Sequence, residues 1–218
     1  ALLLLIAWFG LPETRSRETL EARMPVVTAY LSFLRLPRSL SLSLLIGVAF
    51  AGYFGFISGS PFVLQGQLGV SSTVYAVAFT AAAVLLLAGS LLAGRLASAL
   101  GAERLLLLGC MGLALSGVLA FGLNTLAGPP SVPGFILAMG CFAFCFGIAI
   151  PNAFAIGLQN AGVVAGTGTA ILGSAQMLGG SIGSTGIGLL PTSAAAAVGL
   201  FAIVTGLITA ILYVVSRR

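Results

Sequence analysis

Polar and apolar positions along this chain separate into blocks rather than alternate. Six runs, Leu42 to Val63, Thr73 to Ala93, Leu105 to Leu123, Phe135 to Ile156, Thr167 to Leu190 and Ala194 to Val215, contain no Asp, Glu, Lys, Arg or His. At about 1.5 Å of rise per residue, a helix of roughly 20 residues spans the ~30 Å hydrocarbon layer, so each run predicts one crossing. A further run, Ala1 to Gly10, is too brief to cross alone and reads as the end of a helix that begins upstream, making 1–11 the tail of a preceding crossing. It leads into Leu11-Pro12-Glu13-Thr14 and a charged segment, not into the small-residue cleavage site of a signal peptide.

Residues 12–41 form the one long polar segment, a linker that holds three of the four acids, Glu13, Glu18 and Glu21. Within it Val27, Tyr30, Leu31 and Leu34 recur at i, i+3, i+4 and i+7, which predicts a short amphipathic helix closed by Pro37. Such a helix is expected to lie flat on the cytoplasmic face or to be a surface helix packed on the bundle. The pattern as a whole predicts an all-α membrane protein: linker, a six-helix unit over 42–216, and a short tail at 217–218.

Composition makes the membrane obligatory. With 59% apolar and 6% charged residues, and a mean hydropathy of +1.19, the chain lacks the polar surface to cover a water-soluble globule of this length. Cys110, Cys141 and Cys145 lie inside apolar runs, where sulfur acts as a small hydrophobe, and without any histidine the sequence predicts no metal site and no cofactor.

Charge then orients the crossings. All nine cations are arginines. Arg15, Arg17, Arg23, Arg35 and Arg38 precede the first crossing, Arg95 and Arg104 follow the second, and Arg217 and Arg218 follow the sixth. These positions share one side, whereas the opposite gaps 64–72, 124–134 and 191–193 are uncharged, so the arginine side and the C-terminus are expected in the cytoplasm. Clusters flanking a membrane, rather than lining one groove, argue against a nucleic-acid partner despite the net charge of +5.

Candidate chemistry is sparse and therefore informative. No run carries a titratable carboxylate or histidine, so a coupling proton has no carrier here. A substrate surface is expected from Tyr53 and Phe54, which with Phe50 and Ile57 form a helical stripe, from Phe142 and Phe146, and from Gln176, whose amide is costly to leave in hydrocarbon. Pro151 with Asn152 predicts a hinge, and Ser58, Gly59, Ser60 and Pro61 predict a bent outer end of the first crossing that acts as a gate. The fifth run is glycine-rich, and Gly179 with Gly183 forms a G-x-x-x-G contact face for close, static or sliding, helix packing.

Specific residues carry a family resemblance. Leu11-Pro12-Glu13-Thr14, the basic linker, the block Ser58-Gly59-Ser60-Pro61-Phe62-Val63, Pro151-Asn152-Ala153, and Ala165-Gly166-Thr167 through Gln176-Met177-Leu178 to Gly180 resemble the bicyclomycin-resistance (Bcr/CflA) branch of the major facilitator superfamily. The resemblance implies the C-terminal half of a twelve-helix fold, built of two inverted three-helix repeats. It also implies a bacterial inner-membrane exporter of drugs or other small molecules in exchange for protons. Its partners would be the small-molecule substrate, protons carried by the missing half, membrane lipids and an N-terminal six-helix half. Gly94, Leu96, Gly101 and Arg104 match the superfamily's G-x-L-a-D-r-x-G-r-r loop, but Ser98 stands where an acid is expected, which removes one arm of its charge lock. Arg95, Glu103 and Arg104 are left to pair on the inner face.

Rival functions fare differently. A Ser–His intramembrane protease needs a histidine and an aspartyl one needs two aspartates; the chain has neither residue, so no enzyme is expected. A channel needs a charged ring or a re-entrant filter, and no gap is both long and apolar enough. A sugar or metabolite carrier of the same superfamily stays open, as does a half without transport activity of its own.

Overall fold

The computed structural model describes residues 25–123, 129–189 and 194–216. The expected helix tail at 1–11, the linker as far as residue 24, the gap 191–193 and the tail 217–218 lie outside these. Every element is helical: α1 (Val26–Leu34), α2 (Ser39–Pro61), α3 (Ser72–Leu100), α4 (Ala102–Phe121), α5 (Val132–Leu158), α6 (Ala165–Gly188) and α7 (Ala194–Ser216). Among the described residues five helices, α2 to α5 and α7, are long and apolar enough to cross a membrane. The expected fifth crossing, α6, has 24 residues but falls outside that set, because glycine, serine, threonine and glutamine take positions that leucine or valine would fill in a lipid-facing helix.

Two boundaries correct the sequence reading. The arginine-bearing gap 94–104 is not a loop: α3 runs on helically through Gly94 to Leu100 and breaks only at Gly101, whose φ of +77° is left-handed territory that a side chain resists. At the far end of α2 the helix continues through Pro61 and widens into a π-helical stretch, Phe62–Gln67. Gln67 at its end accepts a hydrogen bond from the Ala195 N–H at 3.2 Å, capping the start of α7.

Helix α1 contains the four residues of the apolar stripe but docks through Phe33. Phe33 is fully buried beside Leu158 and over Gly168, whereas Val27, Tyr30, Leu31 and Leu34 are exposed. One aromatic ring inserted between the ends of α5 and α6 decides the orientation, and the four-residue stripe points away from the bundle.

Small residues set the packing. α6 lies on α2 so closely that a Cβ on Gly179 would overlap the Gly47 carbonyl oxygen, and one on Gly183 that of Ala51. α5 lies on α3 in the same way, Gly89 against the Phe144 carbonyl and Gly147 against that of Leu86. Contacts of this kind place Cα–H groups on backbone oxygens and gain dispersion where lipid supplies no hydrophobic drive. Gly179 and Gly183 both lie against the backbone of α2. α4 packs on α7 through Gly117, Gly199 and Gly206. Between the two tight pairs, α2 and α5 meet through aromatic rings, not backbone.

Candidate functional site

The aromatic stripe on α2 divides between two sides of the helix. Tyr53 and Ile57 turn toward α3 and α5 and, with Phe56, Phe79, Ala82, Ala83, Met139, Phe142 and Ala143, enclose a narrow crevice of about 20 Å³. Phe54 turns the other way, toward α6, and with Gln176, Met177, Gly180, Ser181 and Ser184 lines a shallow groove of about 160 Å³. The five expected substrate residues therefore do not form one surface. Tyr53 and Phe142 share the crevice, and Phe54 and Gln176 share the groove.

Phe146 belongs to neither lining. It is buried, stacked on Tyr53 with centroids 4.3 Å apart and planes 15° from parallel, and meets Phe50 edge-on at 4.8 Å. Phe56 continues the seam, 5.5 Å from Phe142 and 5.3 Å from Phe135. Ring pairs at these separations add roughly 0.5–1.5 kcal/mol each beyond their buried area, so the crevice has stiff walls. The crevice has room for about one water but few polar partners to hold it, which makes it an apolar slot with the Tyr53 ring at its edge. Phe56, Phe79 and Met139 escaped the sequence reading. Met139 lies three residues before Phe142 on one helix face, so that spacing was a usable signal; Phe79 offered none.

At Pro61 and Pro151, two of the gate and hinge candidates, a serine serves the backbone carbonyl that the proline frees. Proline at position i leaves the carbonyl of i−4 without its helical donor. For Pro61 that carbonyl is Ile57, and the Ser60 hydroxyl donates to it at 2.8 Å while lying 3.1 Å from the Tyr75 hydroxyl of α3. For Pro151 it is Gly147, and the donor comes from another helix: Ser90 of α3, at 3.1 Å. Asn152, the other hinge candidate, donates to the Ile148 carbonyl at 2.7 Å and is buried along its own helix. Ser58 donates to Ser184 of α6 at 3.0 Å, and Gly59 is buried where an added Cβ would press on Val198 and Ile187. The Pro61 end of α2 is thus tied to α3, α6 and, through Gln67, α7.

At the arginine end the expected pairing of Glu103 with Arg95 or Arg104 is replaced by a more distant one. Glu103, just past the Gly101 break, takes a bidentate ion pair from Arg38, the second arm at 3.2 Å. Arg38 precedes α2 with φ +70°, a left-handed conformation that aims its side chain across the bundle end. Its NH2 also lies 3.4 Å from the Ser216 hydroxyl, and the Tyr213 hydroxyl donates to the Glu103 carbonyl at 3.1 Å. The hydrogen bond to Glu103 pushes the Arg38 pKa up from its ordinary value. This clasp joins α2, α4 and α7 within the unit. Arg104 and Gly94, counted with the loop motif, are exposed and in open space respectively, and take no part.

Among the described residues no group of three or more His, Cys, Asp or Glu side chains is placed to hold a metal. The family model described as Major Facilitator Superfamily matches residues 1–184. The chain is also 26% identical over 152 residues to the uncharacterized MFS-type transporter YdgK of Bacillus subtilis (strain 168), a match that covers 70% of this chain and 37% of that protein. The chain therefore spans little more than a third of the curated relative it matches.

Proposed function

The chain belongs to the major facilitator superfamily, and from that premise we propose that it is the C-terminal half of a secondary transporter that exports drugs or other small apolar molecules in exchange for protons by alternating access. The multi-pass membrane unit then supplies one wall of the substrate path, with its arginine side and C-terminus in the cytoplasm of a bacterial inner membrane. The observation that carries the substrate class is the crevice between α2, α3 and α5: aromatic, methionine and alanine side chains with one phenol and no charge. Such a surface rewards apolar area and shape, and leaves little to hold a sugar's hydroxyls.

The packing supports two inverted three-helix repeats. The first helix of each triplet lies on the second helix of the other, α2 on α6 and α5 on α3, both through glycine on carbonyl oxygen. α2 and α5 also share a proline in their later half whose freed carbonyl is met by a serine. Two halves of one ancestral pattern would repeat those features.

Proton coupling falls to the other half, because none of the apolar runs holds a carboxylate or histidine. Co-expression of this chain with an N-terminal six-helix half, in vesicles with an imposed proton gradient, tests the reading by dye efflux. Gradient-driven efflux that falls when Phe142→Ala opens the slot supports it; a reunited pair that folds and moves no apolar substrate overturns it. A metabolite carrier is the second reading, favoured by the groove in which Gln176, Ser181 and Ser184 present an amide and hydroxyls. Uptake of a polyol or sugar by the same pair, abolished by Gln176→Leu, would establish it instead.

A further inference from the structure

Two of the three cysteines form a cluster that neither the aromatic crevice nor the groove on α6 uses. Cys141 and Cys145 lie one turn apart on α5, at i and i+4, so their thiols share one face of the helix. Both are half-buried, whereas Cys110 on α4 is fully buried. Their face is turned away from Met139, Phe142 and Ala143, which line the crevice, and toward α4. There Gly112 makes room for sulfur, since a Cβ at that position would overlap the Cys145 Sγ. Ser116, one turn further along α4, lies beside the same thiol, and its own hydroxyl already donates to the Gly112 carbonyl at 2.7 Å. Leu137, one turn before Cys141, and Met111 and Leu115, next to Gly112 and Ser116 in sequence, are half or more exposed. The dithiol therefore lines the outer edge of the α4–α5 seam, half way along both helices, at the depth of the hydrocarbon.

That depth decides what can bind. Metals take thiolates, and an ionised pair is costly in hydrocarbon. Zinc would also need two further ligands, and among the described residues no group of three or more His, Cys, Asp or Glu side chains supplies them. Two neutral thiols suffice for an element that brings its own third substituent and exchanges without charge. A monosubstituted trivalent arsenical, R–As(OH)2, meets both conditions. Two As–S bonds form and two As–O bonds break, and each thiol proton leaves with one arsenic hydroxyl as water. The arsenic stays trivalent and no charged group is created. Because the thiols are one turn apart, the second bond closes at high effective concentration, and the adduct resists competition by single thiols.

We propose that Cys141 and Cys145 form a dithiol site for monosubstituted trivalent arsenicals, entered from the hydrocarbon along the α4–α5 seam, with the organic substituent facing Leu137 and lipid. The site is on the opposite side of α5 from the crevice and does not depend on the identity of the transported substrate.

The test uses the chain co-expressed with a cysteine-free N-terminal six-helix half and reconstituted in lipid vesicles. The probe is phenylarsine oxide, whose hydrate is the required dihydroxide. Intact-mass spectrometry counts bound phenylarsenic after a wash with excess glutathione. The expected result is one group per chain, released by a small dithiol, with one of the three thiols still open to maleimide after unfolding. Retention against glutathione is expected to fall at least about a hundredfold in Cys141→Ala and in Cys145→Ala, and to be unchanged in Cys110→Ala. Protection of Cys110 from maleimide in the folded protein shows that a lost adduct is not a lost fold; where an alanine variant fails that check, Cys141→Ser or Cys145→Ser takes its place. Absence of a glutathione-resistant adduct on the unaltered chain, its retention in either single variant, or its loss in Cys110→Ala would each overturn the proposal. In intact vesicles membrane-permeant N-ethylmaleimide is expected to prevent the adduct and a charged methanethiosulfonate is not. Blocking by the charged reagent would place the thiols in water, and failure of the permeant one would seal them under protein; either outcome overturns entry from lipid.

Discussion

Removal of the Ser90 hydroxyl isolates the value of a single cross-helix hydrogen bond. Ser90 donates to the Gly147 carbonyl that Pro151 cannot serve, and Gly147 is buried between α5 and the backbone of α3. In Ser90→Ala that carbonyl loses its donor where water is scarce. A buried unsatisfied acceptor costs about 1–3 kcal/mol in soluble proteins. Interhelical hydrogen bonds in membranes average nearer 0.6 kcal/mol, since the reference state also finds partners. We expect a loss of about 1 kcal/mol for Ser90→Ala. Pro151→Ala restores a backbone N–H four residues after Gly147, so in that background the serine becomes redundant and its loss should cost only a few tenths. The difference, about 1 kcal/mol of coupling, is the quantity to measure by a double-mutant cycle. Unfolding in mixed micelles can be followed by the reactivity of the thiols, since Cys110 is fully buried in the native fold. If Ser90→Ala costs the same with proline or alanine at 151, the reasoning that the serine repairs the proline is wrong.

Other expectations follow from the same geometry. Gly179→Ala places a methyl on the Gly47 carbonyl and 2.8 Å from the Gly47 Cα, so the α2–α6 pair must part; a loss of about 1–3 kcal/mol is expected, against little or none for Gly173→Ala, where nothing lies within 4 Å. Gly101→Ala should cost about 1 kcal/mol or more through its positive φ alone, because the site is otherwise open, whereas Gly94→Ala, helical and equally open, should be neutral or stabilising by up to about 1 kcal/mol. Glu103→Gln should lower stability by about 1 kcal/mol at most, since both partners of the pair are partly solvated. The raised Arg38 pKa means that its share of that stability is complete below the free arginine value and is lost only as pH climbs through the higher folded value, so a pH series from neutrality to pH 10 should show no decline from this group; a midpoint in that window would contradict the assignment.

Much of the helix plan was legible because hydrophobic runs and arginine positions obey long-range constraints that need no knowledge of packing. The face of α1 was not, because four stripe residues signal amphipathicity while one ring, Phe33, finds the cavity. α6 read as a crossing from its lack of charge, yet Gly179 and Gly183 serve contact with the α2 backbone. In the candidate site, Ser60 beside Pro61 was visible as a local pair, but the serine that serves the Gly147 carbonyl freed by Pro151 lies 57 residues from that carbonyl in sequence, and the partner of Arg38 lies 65 residues away. Such contacts are fixed only when helices are assembled. The division of Tyr53 from Phe54 has a similar cause: adjacent residues on a helix diverge by about 100°, and only the neighbours decide which side is cavity.

The two glycine-on-carbonyl pairs and the ring seam between them differ in how freely their sequences can drift. Where one backbone rests on another, any side chain larger than hydrogen is excluded, so those positions are closed to gradual change. Along the seam, Phe50, Tyr53, Phe56, Phe142 and Phe146 touch only through rings, and one aromatic can replace another without moving a helix axis. A lineage under pressure to handle new molecules would find its permitted mutations concentrated on that seam, altering the slot while the frame that carries it stays fixed.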